Sequence, residues 1–321
     1  MILSLKPPYD ISSRILQLIS SISIKLGEVN ANFLNRQTPL LRKQNRIKTI
    51  HASLSIEGNT LSEEQITAII EKKRVVGPQK DILEVLNAAK VYENLKSYNP
   101  NAVKSFLSAH KTLMSGLIES SGKFRSKGAG IVKGSKITHI APHYQNAPGL
   151  INDLFDYLKK DDDLLLIKSC VFHYEMEFIH PFADGNGRMG RLWQTLILQK
   201  AFPVFEFLPL ETIVRDTQKE YYESLSKSDK KGNSTPFIEY MLDVIDKSLD
   251  DLLNYNNRVM TDLQRIEYFI HLGKKEFSRK DYMGVFKNLS SATASRDLQK
   301  GTEMKLFKKE GERNKARYLV V

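Results

Sequence analysis

His180-Pro181-Phe182-Ala183-Asp184-Gly185-Asn186-Gly187-Arg188-Met189-Gly190-Arg191 lies between two apolar helical segments. It places a base, a carboxylate, an amide between two glycines, and two arginines within a dozen residues. Gly185-Asn186-Gly187 is too flexible to continue a helix and makes a tight loop. Arg188 then opens a new helix through Gly190, Leu192, Trp193, Leu196 and Ile197. A loop feeding a helix start gathers free backbone N–H groups and the positive end of the dipole, which is an anion site. Arg188 and Arg191 are three apart and share a helix face. Their guanidinium groups suit a polyphosphate. Asp184 is placed to hold Mg2+ beside those phosphates. His180 is placed to take a proton from an attacking hydroxyl. Each fragment alone is commonplace, since a His before Pro is usually a loop residue and Gly-Asn-Gly usually a turn. Their order is what carries information.

The stretch resembles the signature of the Fic family, His-x-Phe-x-Asp/Glu-Gly-Asn-Gly-Arg-x-x-Arg, at every fixed position. The resemblance implies a protein adenylyltransferase that moves AMP from ATP to Ser, Thr or Tyr hydroxyls of target proteins, with Mg2+. His180 would be the general base and Asp184 the metal ligand. Gly185, Asn186, Gly187 and Arg188 would cradle the phosphates, Arg191 would fix the γ-phosphate, and Phe182 would anchor the loop in the core.

Ser53-Leu54-Ser55-Ile56-Glu57-Gly58-Asn59 carries a second resemblance, to the family's inhibitory motif Ser/Thr-x-x-x-Glu-Gly/Asn. Read by itself it is a helix C-cap with a surface acid, slightly misplaced against the dipole. In the family this Glu pairs with the last signature arginine, here Arg191, and blocks productive placement of the γ-phosphate. Ser53, Glu57 and Gly58 are then the regulatory residues. The implied enzyme is autoinhibited from an N-terminal helix and modifies itself when released.

The composition is that of a globular chain, 41% hydrophobic and 26% charged. The single cysteine, Cys170, excludes a disulfide framework within the chain and fits a reducing cytosol. No apolar run approaches the roughly 20 residues of a membrane span, so a cytoplasmic protein without membrane contact is expected. The net charge of +11 is uneven. Residues 1–50 hold eight Lys/Arg against two Asp/Glu, residues 261–321 fourteen against eight, and residues 51–260 twenty-six against twenty-seven. Basic ends fit either a nucleic-acid footprint or a solvated surface.

Helical periodicity places segments from Ser12 to about Leu34, from Thr38-Pro39 to Glu57, and from a cap at Ser62 onward. Further helices are expected at 79–97, 101–117, 148–160 and 164–178, then 209–228 and 235–256. His110 is expected as an ordinary helical histidine, and His173 with Glu177 as a buried structural pair. Residues 122–142 hold four glycines and two β-branched pairs, Ile131-Val132 and Ile137-Thr138, around Lys133-Gly134-Ser135-Lys136. They read as a short hairpin or a surface loop. The Gly122-Lys123-Phe124-Arg125 element resembles the lead into the family's flap, which implies that Ile131 and Val132 clamp a target segment by strand addition. Tyr221-Tyr222 fits nucleotide contact or core packing. Asp229 stands near the place of a family asparagine, which leaves nucleotide preference open.

The fold class expected is all-α, a mainly helical Fic fold with a short β-hairpin flap. Residues 1–100 form the N-terminal helical region and 101–258 the Fic core. From Thr261, three short helices and a hairpin resemble a winged helix over 261–321, with Ser290 to Lys300 as the recognition-type helix. Homodimerisation, and DNA contact through 261–321, stay open. So do two other functions: a DNA-binding nucleotide sensor, and an enzyme that removes AMP or transfers another phosphate-containing group.

Overall fold

The computed structural model describes residues 6–33, 39–128, 130–133, 136–259, 261–286, 289–311 and 316–320. The expected helix start at Thr38, the hairpin turn at Gly134-Ser135 and the second hairpin's tip at 312–315 lie outside the described residues. The chain divides into two compact units, Met1–Leu249 and Asp250–Val321.

The first unit is built on helices. Ser13–Phe33 (α1) buries Ile15, Leu18, Ile22, Leu26 and Val29, the apolar stripe read from the sequence. Pro39–Ile56 (α2) follows and stops at Gly58, whose φ of 89° requires glycine. Glu63–Ile70 (α3) starts with a reciprocal Ser62/Gln65 capping box. Gln79–Glu93 (α4) and Val103–Leu113 (α5) pack on each other.

Gly130–Lys133 (β1) and Lys136–Ile140 (β2) then pair antiparallel, so residues 122–142 do contain a hairpin. The register shifts between Ile131 and Val132, a bulge that re-aims one end of the ladder. Ala147–Lys160 (α6) lies beside Leu165–Ile179 (α7), which is apolar almost all round and buried accordingly. Asn186–Ala201 (α8) packs closely on α7. An aromatic cluster of Phe106, Phe155, Phe172, Phe182 and Trp193 fills the space between α5, α6, α7 and α8.

The single helix expected over 209–228 is two, Leu210–Asp216 (α9) and Gln218–Lys231 (α10). They break at Thr217, which bonds its own hydroxyl back to Ile213 O and takes no helical backbone angles. Thr235–Val259 (α11) follows. Among the described residues, no helix is long and apolar enough to cross a membrane.

The second unit holds Asp262–His271 (α12), Glu276–Ser278 (β3), Arg279–Val285 (α13), Ser291–Glu303 (α14), Phe307–Glu310 (β4) and Arg317–Val320 (β5). The hairpin expected from the sequence is β4 with β5. The short β3 joins on the other side of β5, giving the antiparallel order β3-β5-β4. Ile266, Phe269, Phe277, Tyr282, Leu298 and Phe307 form its own core. Asp297, almost without solvent contact, accepts two bonds from Arg265 and one from the Tyr282 hydroxyl, tying three helices together.

Candidate active site

The loop 180–185 joins α7 to α8 at the centre of the first unit. His180 caps α7 in the left-handed region, φ 48° and ψ 59°, with its N–H on Met176 O at 3.0 Å. That conformation is uncommon for any residue but glycine. The loop is held from inside. Phe182 is fully buried and its ring stacks on His110 at 3.6 Å. The Asn186 amide closes the loop on itself, donating to Phe182 O at 3.0 Å and accepting from Phe182 N at 2.9 Å. Gly185 has φ 84°, and a side chain there would strike Met114.

Two outside residues fix the loop's position. His110 accepts from Gly122 N at Nδ1 (2.9 Å), so its proton sits on Nε2, which donates to Asp184 O at 3.0 Å. Burial lowers its pKa to about 4, so the ring is neutral. It is the satisfied histidine the sequence suggested, with a supporting part at the site that the sequence did not reveal. Arg125 bonds four carbonyls. Nε donates to His180 O at 2.7 Å, Nη1 to Lys127 O at 2.8 Å, and Nη2 to Pro142 O and, at 3.5 Å, to Ile179 O. One buried guanidinium thus fastens both ends of the hairpin to the loop. Ile131 and Val132 lie on β1.

The first N–H groups of α8, which begins at Asn186 directly after the loop, have no intrahelical partner. The two signature arginines leave this place differently. Arg188 gives Nη1 to Glu84 (3.1 Å) and Nη2 to Asp184 (3.0 Å). Glu84 in turn accepts from Asn59 Nδ2 at 2.8 Å. Arg188, expected at the phosphates, therefore sits buried between two carboxylates.

Arg191 is buried against α2. Nε donates to Ser53 Oγ (3.1 Å), and Nη2 to Ser53 O (3.0 Å) and Glu57 Oε1 (2.7 Å). Burial alone would lower the Arg191 pKa. The Glu57 carboxylate outweighs it, with help from the Tyr221 and Glu177 sides, and holds the guanidinium firmly charged. The Glu57 carboxylate lies directly over Gly187, where any side chain would collide with it and would come within 3.1 Å of Arg191 Nη1. An acid thus covers the start of α8 as an anion would.

Tyr221 is fully buried, its hydroxyl 3.1 Å from His173 Nε2, which places it in the core beneath the site and not on its surface. His173 pairs through Nδ1 with Gln194 at 2.6 Å, and burial lowers its pKa to about 3. Glu177 is its neighbour at 3.9 Å. Tyr222 is partly exposed, and its hydroxyl pKa is raised by burial and by Glu57. Asp229 accepts from the Tyr174 hydroxyl at 2.9 Å.

Asp184 fits one Mg2+ contact. Its Oδ1 accepts from Arg188 and Gly185 N, and its side chain is half exposed, which leaves the other oxygen to solvent. Mg2+ is commonly held by one or two carboxylates with substrate phosphates completing the shell. Among the described residues no cluster of three or more acids, histidines or cysteines gathers. A single-carboxylate site that needs the substrate is what these residues can form.

The Fic/DOC family profile matches residues 102–198, which contain the whole loop and α8 up to Leu198. Among curated relatives, the protein adenylyltransferase fic-1 of Caenorhabditis briggsae is 30% identical over 207 residues, 60% of this chain and 38% of its own length. Protein adenylyltransferase Fic of Nematostella vectensis is 28% identical over 225 residues, 66% of this chain and 49% of its own. The chain therefore spans less than half the length of these curated relatives. A crystal structure of a Fic family protein from Desulfovibrio desulfuricans G20 is 38% identical with a TM-score of 0.77, and the match covers 99% of this chain and 98% of that one.

Proposed function

The chain belongs to the Fic/DOC family, and on that premise we propose that it transfers AMP from ATP to hydroxyl side chains of target proteins. The observation that carries this reading is the loop 180–185. It sets His180 and Asp184 against the start of α8 while Glu57 sits over Gly187, bonded to Arg191.

His180 takes the proton of the target hydroxyl as its oxygen bonds to the α-phosphorus, and pyrophosphate leaves. The N–H groups of Asn186 and Gly187 face the phosphates, and Gly187 keeps the approach open. Asp184 would hold Mg2+, which would supply neutralisation of phosphate charge. Arg191, once released from Glu57, takes the γ-phosphate and sets the α-phosphorus in line. Arg188 holds the Asp184 carboxylate in place. Tyr222 lines the nucleotide side, and Tyr221 supports it from the core. The β1/β2 hairpin, at Ile131 and Val132, accepts the target segment as an added strand.

Ser53, Glu57 and Gly58 form the inhibitory element, and its release leads to self-modification. We place the enzyme in the cytoplasm on the strength of its lone buried thiol, Cys170. The test is transfer of label from α-labelled ATP. His180→Ala is expected to abolish transfer while ATP binding by calorimetry survives. Transfer at the wild-type rate would overturn the base assignment.

A second reading applies to Asp250–Val321. The exposed Arg296 and Gln299 of α14, with Lys308 and Lys309 of β4, favour contact with DNA. A mobility shift that weakens steeply with salt supports this, and none at low salt removes it.

A further inference from the structure

Arg42, Arg46, Thr49, Ser53 and Glu57 recur every three or four residues and form one stripe along α2. Arg191, Thr195 and Gln199 form a corresponding stripe on α8. At the Glu57 end lies the Arg191 contact. At the other end Arg42, Arg46, Tyr92, Lys96, Thr195 and Gln199 help to enclose a cavity of about 240 Å³.

The charges on its wall do not balance. Glu206 stands between Arg42 Nε at 3.1 Å and Lys96 Nζ at 3.0 Å, so one carboxylate serves two cations. Arg46 makes no hydrogen bond or ion pair among the described residues. Glu93, the other acid of the lining, is exposed. Gln199 Oε1 is buried and accepts no hydrogen bond among the described residues. A void of this size lined only by apolar groups would stay dry and offer nothing to a charged ligand. Here a partly exposed cation on α2 and a buried acceptor on α8, neither with a partner among the described residues, line one cavity, and the unmet acceptor is unfavourable until something meets it. The volume lies below the roughly 300–1,000 Å³ of pockets for drug-sized ligands, so the occupant is compact.

We propose that this cavity binds a compact organic anion with a hydroxyl or amino donor next to its acid group. The acid group meets Arg46, flanked by Arg42 and Lys96, and the donor meets Gln199. Such a ligand joins α2 to α8 across the groove. Tyr92 carries the effect onward. It is a wall of this cavity and also of a void of about 10 Å³ lined by Ser53 and Arg188. Its hydroxyl and that of Thr195 both donate to Glu211 Oε1 at 3.4 Å. Occupation holds α2 seated and reinforces the Glu57–Arg191 contact. This coupling rests on the inhibitory reading of Glu57, whereas the binding site does not.

Calorimetry on the full chain tests the site, with glycerol 3-phosphate and L-malate as organic anions and sulfate as an anion without an adjacent donor. One-to-one binding of either organic anion, at least tenfold tighter than sulfate, is expected. A preference for one probe decides between a sugar phosphate and a hydroxy acid. Arg46→Gln and Gln199→Leu, each shown to fold by circular dichroism, should weaken binding at least tenfold. No binding, equal binding of sulfate, or affinity unaltered in both variants would overturn the site. The ligand at saturation should slow self-modification of the wild type at least fivefold and leave Glu57→Gly unchanged. Binding without that slowing would overturn the coupling alone. If Glu57→Gly is no faster than wild type without ligand, the inhibitory reading fails separately.

Discussion

Replacing Glu57 by glycine removes one bond of three that hold Arg191 to α2, and the only one that brings a full negative charge. Hydrogen bonds to charged groups contribute about 1.5–3 kcal/mol. Breaking a fully buried ion pair costs about 3–5 kcal/mol. Arg191 is buried, but the Glu57 side chain is 28% exposed, so solvent screens the pair and the lower range applies. A loss of about 2 kcal/mol changes the seated-to-released ratio about thirty-fold, at 1.36 kcal/mol per decade. While the released form is a minor species, the rate of self-modification rises in proportion. The assay is the initial rate of label incorporation from α-labelled ATP, at one protein concentration, for wild type and Glu57→Gly. A ten- to thirty-fold increase is expected. Glu57→Gln keeps the length and one acceptor but not the charge, and should fall between the two. A folded Glu57→Gly variant within twofold of wild type would refute the reasoning, because Arg191 would then be held by Ser53 or not held at all.

Glu211 gives a pH signature. Its carboxyl is fully buried, and burial raises its pKa from 4.5 to about 7. A raised pKa means that the folded state keeps a proton which the unfolded state has lost, so stability declines as pH rises from 4.5 through 7. Glu211→Gln carries no such proton. Its melting temperature should gain on wild type across that window and level off above it, and a constant difference would contradict the assignment. Cys170 is buried with its thiol raised to about 12. It should resist a disulfide reagent at pH 8 until the protein unfolds, and fast reaction of the native chain would show the site to be open. Asp297→Ala leaves Arg265 with its bidentate partner gone, at a cost of about 3–5 kcal/mol to Asp250–Val321. Limited proteolysis should then cut this unit first, and an unchanged pattern would refute the claim.

The helices of the first unit were legible because a buried stripe recurs at the helical period, as in Ile15 to Val29 of α1. The break at Thr217 was not, since the apolar residues on both sides keep nearly the same phase and a single residue leaves the helical angles, at φ −115° and ψ 36°. The β3 strand was hidden by its length of three residues, too short for alternation to show. Within the site, the signature residues announce themselves through their spacing. Their supports do not. Arg125 meets His180 O across 55 residues, His110 meets Asp184 O across 74, and Glu84 meets Arg188 across 104. His110 and Glu84 look from the sequence like ordinary helix residues, and Arg125 only like part of the flap's lead-in, because what makes each different is a partner that the fold alone delivers. Asn186 shows the converse. Its position in the motif suggested a phosphate ligand, and the sequence did not show that its side-chain amide also closes the loop on Phe182.

Glu57 precedes Arg191 by 134 residues, and chains are made from the amino end. The α2 helix has therefore left the ribosome before Arg191 has been translated. A nascent chain therefore has α2 at hand before α8 is made, and under the proposed inhibitory role of Glu57 the restraint is present before the loop it would restrain. Circular permutation that moves Ser53 and Glu57 behind Arg191 would reverse this order while keeping the Glu57–Arg191 contact available to the folded protein.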